Sequence, residues 1–133
     1  MKQIRRNVFE TNSSSVHSIT MCLEDIYDKW MNEEVYFYDS HYKLPEGRDQ
    51  FFTWDDMIEF IKDVLDADEA DINALIDAKE NDSSDFAELM QEYDFYTPDM
   101  YEYYNEDCDH YVKKFKTPAG ETIVAFGYAG ARY

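Results

Sequence analysis

The period of apolar and polar residues changes along the chain, and each change marks a predicted element. Polar and apolar residues alternate over 16–21, and β-branched and aromatic residues dominate 35–38, 111–116 and 122–128. These patterns predict four strands. Apolar residues recur at helical spacing in 23–31, 54–65, 69–80 and 84–93. The spacing predicts four helices, of which three lie in the middle of the chain. Asp68 and Ser83 or Ser84 are the expected N-caps of the last two.

The order of these elements predicts an α+β fold. A turn at Pro118 and Gly120 joins the last two strands into a hairpin. We therefore expect a small antiparallel sheet built from both chain ends, covered on one face by three or four helices from the middle. A length of 133 residues predicts a single domain over 1–133.

Charge separates the middle of the chain from its ends. Residues 49–110 hold 21 acidic side chains and two basic ones, a net of −19, whereas the remaining residues sum to +1. The same segment is rich in apolar and aromatic residues, so we expect it to fold. A folded surface this negative repels nucleic acid, and we expect no direct nucleic-acid binding. It is instead complementary to a protein that grips phosphates.

The helix predicted after Thr53, its expected N-cap, carries a row of acids. The row lies opposite the apolar stripe and repeats about every 6 Å along the axis. We predict that it binds a partner; the alternative is an ordinary solvated helix face. The row consists of Asp55, Glu59, Asp63 and Asp66.

Residues 93–104 are dense in tyrosine and acid. Tyrosine has a large apolar body and a polar tip and is enriched at interfaces. Two interpretations are equally weighted: a loop whose rings cover the core, and an exposed contact surface. On the second, the partner-binding residues are Asp94, Tyr96, Asp99, Tyr101 and Glu102.

A polar string, Asn12, Ser13, Ser14 and Ser15 followed by His17, permits three interpretations. A serine could act as a nucleophile with His17 as its base, although no nucleophile elbow is present. Backbone amides and hydroxyls could cradle a phosphate. The favoured interpretation is a structural turn closed by local hydrogen bonds. No catalytic residue is therefore assigned.

Cofactor and metal motifs are absent from the sequence. Asp66, Asp68 and Asp71 begin like a calcium loop, but the required glycine is missing. Ligand-type residues in 106–110 form one local cluster without a second set, which is a poor zinc site. We expect no cofactor and no metal. No apolar run spans 18 residues and no signal-like segment begins the chain, which predicts a cytoplasmic protein that does not bind membranes.

The string from Val8 to Ser18, VFETNSSSVHS, resembles an N-terminal signature of small phage and prophage proteins. Size and charge also resemble acidic phage inhibitors of bacterial defence, including anti-CRISPR proteins. These resemblances imply action in the host cytoplasm. The predicted function is inhibition, by nucleic-acid mimicry, of a nucleic-acid-handling defence nuclease or CRISPR effector. The alternative is a small hydrolase or phosphate-binding protein using 12–17; we favour binding over catalysis.

Overall fold

The computed structural model describes residues 15–131, and this range forms five helices and six short or medium strands. The strands are β1 (Ser15–Leu23), β2 (Tyr36–Tyr38), β3 (Phe51–Phe52), β4 (Phe95–Tyr96), β5 (Asp109–Lys116) and β6 (Thr122–Ala131). The helices are α1 (Glu24–Met31), α2 (Trp54–Asp63), α3 (Glu69–Glu80), α4 (Phe86–Glu92) and α5 (Pro98–Tyr104). The α+β class predicted from the sequence is confirmed.

The chain divides into two compact units. The terminal unit comprises 1–28 and 102–133, and the middle unit comprises 29–101. The chain passes from one unit to the other within α1 and again within α5. The single-domain expectation stays a prediction.

The terminal unit contains the predicted sheet from both chain ends. Its strand order is β1-β6-β5, and both pairings are antiparallel. Directly paired residues share a face, so Val124 and Phe126 lie on one face together with Cys22 and Thr20 of β1. Val124 and Phe126 are buried, and the Tyr27 ring of α1 packs 5.6 Å from that of Phe126. This face is the core side of the sheet.

The opposite face of the sheet depends on a glycine at its centre. Tyr111 of β5 donates a hydrogen bond from its hydroxyl to the Ser18 carbonyl oxygen of β1, at 2.6 Å. Gly127 of β6 lies between the two strands, paired with Tyr111 and Ile19. A Cβ at Gly127 would come within 2.0 Å of the Ser18 oxygen and 2.9 Å of the Tyr111 hydroxyl. The tyrosine therefore bridges the sheet only because the central residue has no side chain.

The middle unit has a sheet of its own, which the sequence did not predict. The strand order is β3-β2-β4, again antiparallel. Helix α2 contacts β3 and helix α4 contacts β4, so these acidic helices pack on the sheet of their own unit. Strands of two residues, such as β3 and β4, show no period in a sequence, which is why only β2 was predicted.

Aromatic side chains fill the core of the middle unit. Trp30, Phe37, Tyr38, Phe52 and Phe95 are all at most 2% exposed. Ring centroids lie 5.5 Å apart between Trp30 and Phe37 and 4.9 Å apart between Tyr38 and Phe95. The indole nitrogen of Trp30 donates to the Tyr96 carbonyl oxygen at 3.0 Å, so the buried indole N–H is satisfied.

Two predicted helix caps are confirmed, and a third differs. Thr53 caps α2 and Asp68 caps α3, each accepting a hydrogen bond from a backbone amide three residues later. Helix α4 was expected to begin at Ser83 or Ser84. It begins after Asp85, because the Ser83 hydroxyl accepts from the Asp85 amide in a turn that precedes the helix.

We predict that Gly127→Ala destabilises the protein by at least about 1–3 kcal/mol, because the new methyl group meets backbone that cannot move aside without breaking the sheet. Tyr111→Phe should cost about 1 kcal/mol, the value of one lost hydrogen bond. Equilibrium urea unfolding measures both changes. Gly130→Ala is the matched control and should cost less, since its Cβ would meet Cys108 at 3.1 Å. Equal losses at the two glycines would contradict the bridging role.

Candidate interaction surface

The middle unit carries most of the charge of the protein. It contains 21 acidic and five basic residues, a net of −16 out of −18. Twenty of those acids are exposed and Asp39 alone is partly buried. The terminal unit, with nine acids and seven bases, has a net charge of only −2. The predicted charge separation along the sequence is therefore also a separation between folded units.

The predicted acidic row lies on α2 for three of its four members. Met57, Phe60 and Ile61 are buried, and the capped helix directs Asp55, Glu59 and Asp63 to solvent on its other side. The spacing of four residues places successive carboxylates about 6 Å apart along the axis.

Asp66, the fourth member of the row, is exposed but lies beyond the helix. The amides of Val64 and Leu65 both bond the Phe60 carbonyl oxygen, which closes the last turn of α2. Asp66 then adopts a φ of 57°, a conformation that Asp tolerates better than most residues. The helix was predicted to continue through Leu65 and instead ends at Asp63, so Asp66 is adjacent to the row without continuing its period.

Few of these acids are neutralised locally. Among the described residues of the middle unit, Asp56 is the sole carboxylate in an ion pair, 3.6 Å from Arg48. Three bases of the unit lie over aromatic rings. Arg48, which also pairs with Asp56, is 3.9 Å from the Phe52 centroid, Lys79 is 4.3 Å from that of Trp54, and Lys43 is 5.5 Å from that of Tyr42. These basic residues therefore contribute to the packing of the unit. Because most exposed carboxylates have no ion-pair partner, the surface of the unit keeps a strong negative potential.

The start of α3 and the end of α4 bring further acids together around Tyr93. Burial raises the pKa of the half-buried Tyr93 hydroxyl, and the negative charges of Asp71, Glu92 and Asp68 raise it further. Charges from two helices thus act on one ring. This cluster was not singled out from the sequence, because 68, 71, 92 and 93 become neighbours only when α3 packs against α4.

The tyrosine-rich segment is divided between core and surface. Residues predicted as a loop or contact surface form β4 and α5. Tyr96 and Tyr101, predicted as partner-binding residues, are 8% and 5% exposed. The Tyr101 ring packs 5.5 Å from Trp30 and 5.7 Å from Phe37, so these two tyrosines stabilise the middle unit and are corrected to core residues. Asp94, Asp99 and Glu102 are exposed as expected for contact residues.

Asp39 and Asp94 form a second feature that the sequence did not indicate. They flank the β2–β4 pairing, and the Asp39 amide donates to the Asp94 carbonyl oxygen at 2.8 Å. Burial raises the pKa of the Asp39 carboxyl to about 6, and the charge of Asp94 contributes in the same direction. Burial also raises the pKa of Asp94. Nothing local in the sequence marks the pair, since 54 residues lie between the two positions.

The polar string predicted as a possible ligand site falls mostly outside the described residues. Asn12, Ser13 and Ser14 lie outside them altogether. Ser15 and His17 contribute backbone to β1, where they pair with Ala131 and Ala129, and their side chains are also outside the description. The nucleophile, phosphate and turn interpretations therefore all stay predictions.

Metal-binding clusters and membrane-spanning helices are both absent from residues 15–131. Within that range no three His, Cys, Asp or Glu side chains are gathered so that they could hold a metal ion. No helix there is long and apolar enough to cross a membrane.

Comparison with known proteins identifies no relative. No protein-family model, no curated protein and no solved structure matches the chain.

We predict that Asp39→Asn stabilises the protein at pH 7 by up to about 3 kcal/mol. The folded state holds the Asp39 proton more tightly than the unfolded chain does, so this residue's contribution to stability falls as pH rises from about 4 to about 6 and the deficit persists above that. A tenfold change in proton affinity corresponds to about 1.4 kcal/mol.

The measurement is urea unfolding of wild type and variant at several pH values. The two proteins should converge below pH 4, where Asp39 is protonated in both states. Asp77→Asn is the control, because it removes one exposed charge from the same unit. If Asp77→Asn stabilises as much at pH 7, relief of general repulsion explains the effect and burial of Asp39 does not.

Proposed function

We propose that the protein is an acidic inhibitor that occupies the phosphate-binding surface of a bacterial nucleic-acid-handling protein. The observation that carries this proposal is the middle unit, which holds a net charge of −16 with one ion-paired carboxylate among its described residues. A protein that evolved to bind phosphates offers arginine and lysine side chains. Those side chains pair with carboxylates through the same charge-assisted hydrogen bonds.

The arrangement of the acids supports binding beyond bulk charge. Asp55, Glu59 and Asp63 repeat along one face of a capped helix whose other face is anchored in an aromatic core. Carboxylates on a regular element need little ordering when a partner binds, so less free energy is lost on association. A disordered acidic tail of equal charge lacks that advantage.

The proposed partners are a defence nuclease or a CRISPR effector in the cytoplasm of a host bacterium. This choice rests on the resemblance of the Val8–Ser18 string to phage proteins and on the resemblance of size and charge to acidic anti-CRISPR proteins. The mechanism is competitive. The bound inhibitor covers a positively charged channel, and nucleic acid and inhibitor exclude each other.

The partner is found by retaining proteins from a nuclease-treated bacterial lysate on the immobilised protein. A retained partner is then titrated with the protein at low and high salt. Binding should weaken as salt rises, because added salt screens the ion pairs and opposes the counterion release that accompanies binding. Nucleic acid should compete with the protein for the partner.

A four-site variant tests the acidic row directly. Conversion of its carboxylates to amides keeps side-chain shape and should weaken binding at low salt by more than about tenfold, since several charge-assisted hydrogen bonds are lost together. The salt dependence should also become shallower. The variant is Asp55→Asn, Glu59→Gln, Asp63→Asn and Asp66→Asn.

The matched control removes four exposed acids from the terminal unit and so has the same net charge. It should bind within about threefold of wild type if the row, and not total charge, makes the contacts. The control is Glu106→Gln, Asp107→Asn, Asp109→Asn and Glu121→Gln. Equal weakening in both variants would reduce the effect to net charge. Unchanged binding of the row variant, or failure of nucleic acid to compete, would contradict mimicry by α2.

A further inference from the structure

The terminal unit ends in two sheet edges of different character. The strand order β1-β6-β5 leaves β1 and β5 each with one neighbouring strand among the described residues. An edge strand offers unpaired backbone N–H and C=O groups to another chain, and charged side chains, lysine above all, discourage that pairing. Strand β5 carries three lysines, Lys113, Lys114 and Lys116. Strand β1 has no Asp, Glu, Lys or Arg along its nine residues.

Strand β1 is also unusually apolar on its exposed side. Ile19, Met21 and Leu23 are 51%, 60% and 42% exposed. They pair with Gly127, Ala125 and Ile123 of β6, so all three lie on one face, opposite the core face of Val124 and Phe126. Phe115 of β5, which pairs with Ile123, adds a fourth exposed apolar side chain to that face. Clustered exposed apolar residues of this kind mark interaction sites.

Charge restricts what can cover this edge. The β1 edge is uncharged, so it offers no ion-pairing group to a strongly acidic or basic partner. Another copy of the chain presents an edge that is equally uncharged and equally apolar. Two copies carrying −18 each repel, yet the terminal unit contributes only −2 of that charge, so contact through it incurs the least repulsion.

We propose that the occupant is a second copy of the chain, bound through β1 of each copy in antiparallel pairing. A two-fold axis perpendicular to the sheet relates the copies and makes the interface isologous. Full overlap of two nine-residue strands places Ile19 at the centre, opposite Ile19 of the second copy. The two three-stranded sheets then form one six-stranded sheet, and the exposed apolar residues of both β1 strands lie side by side on the same face.

This inference is independent of the proposed function, and salt separates the two. Dimer formation brings together two negative molecules, so added salt should strengthen it by screening. Binding of a basic partner should weaken under the same change. The mass of the protein, measured by sedimentation equilibrium over a range of concentrations, should change from monomer to dimer, with the transition at lower concentration in higher salt.

The test variant is Ile19→Lys/Met21→Lys. Lysines at the centre of an isologous interface face lysines of the second copy, so the dimer dissociation constant should rise at least about tenfold. Both positions are more than half exposed, and circular dichroism checks that the variant folds. Val112→Lys is the control for the other sheet edge: Val112 is 50% exposed and lies on β5, on the face of its partner Phe126, and its substitution should leave the dimer intact.

A second measurement does not require the fold to accept lysine at positions 19 and 21. Ile19→Cys should give a covalent dimer on mild oxidation, because opposed residues of antiparallel strands lie within reach of a disulfide. Val112→Cys and the wild type, which retains Cys22 and Cys108, provide the background.

The proposal fails if the wild type stays monomeric at every concentration and salt tested and the Ile19→Cys variant forms no covalent dimer on oxidation. It also fails if the Ile19→Lys/Met21→Lys protein dimerises as well as wild type. Loss of the dimer in Val112→Lys alone would assign the interface to β5.

Discussion

Burial of aromatic rings keeps the acidic middle unit folded. The middle unit holds sixteen net negative charges in 73 residues, and their mutual repulsion favours expansion. Rings of Trp30, Phe37 and Tyr101 pack within 5.7 Å of one another, and the strands beneath them are only two or three residues long. Backbone pairing on that scale is marginal by itself. Apolar area and ring packing therefore offset the repulsion.

The same core explains why the acids remain available. Because aromatic packing stabilises the unit, its carboxylates need not be neutralised to keep it folded. Arg48 and Lys79 lie over rings and contribute to packing as well as charge. Asp39 is the exception and shows the free-energy cost of burying a carboxylate: burial, together with the charge of Asp94, raises its pKa. Acids that stay at the surface avoid that cost and project a strong field, which is the property the proposed function uses.

The terminal unit is built on a different principle. It is nearly neutral and relies on long strand pairing, with Gly127 allowing the Tyr111 hydroxyl to reach Ser18 across the sheet. Its two edges differ because lysines lie along β5 and no charged residue lies along β1. The two proposed interfaces should therefore respond to salt in opposite ways: added salt weakens binding of the proposed basic partner and strengthens the proposed dimer.

Local sequence patterns were enough to predict the α+β class, the terminal sheet, the caps Thr53 and Asp68, and the exposure of Asp55, Glu59 and Asp63. Each follows from local information: a period of 2 or 3.6, a turn residue, or a cap three residues from its amide. The middle sheet, the burial of Tyr96 and Tyr101, and the charges around Asp39 and Tyr93 depend on contacts between distant parts of the chain. Strands of two residues have no readable period, and a tyrosine suits core and surface alike. The packing of distant elements therefore fixes these features, because it determines which side chains lose water and which charges become neighbours.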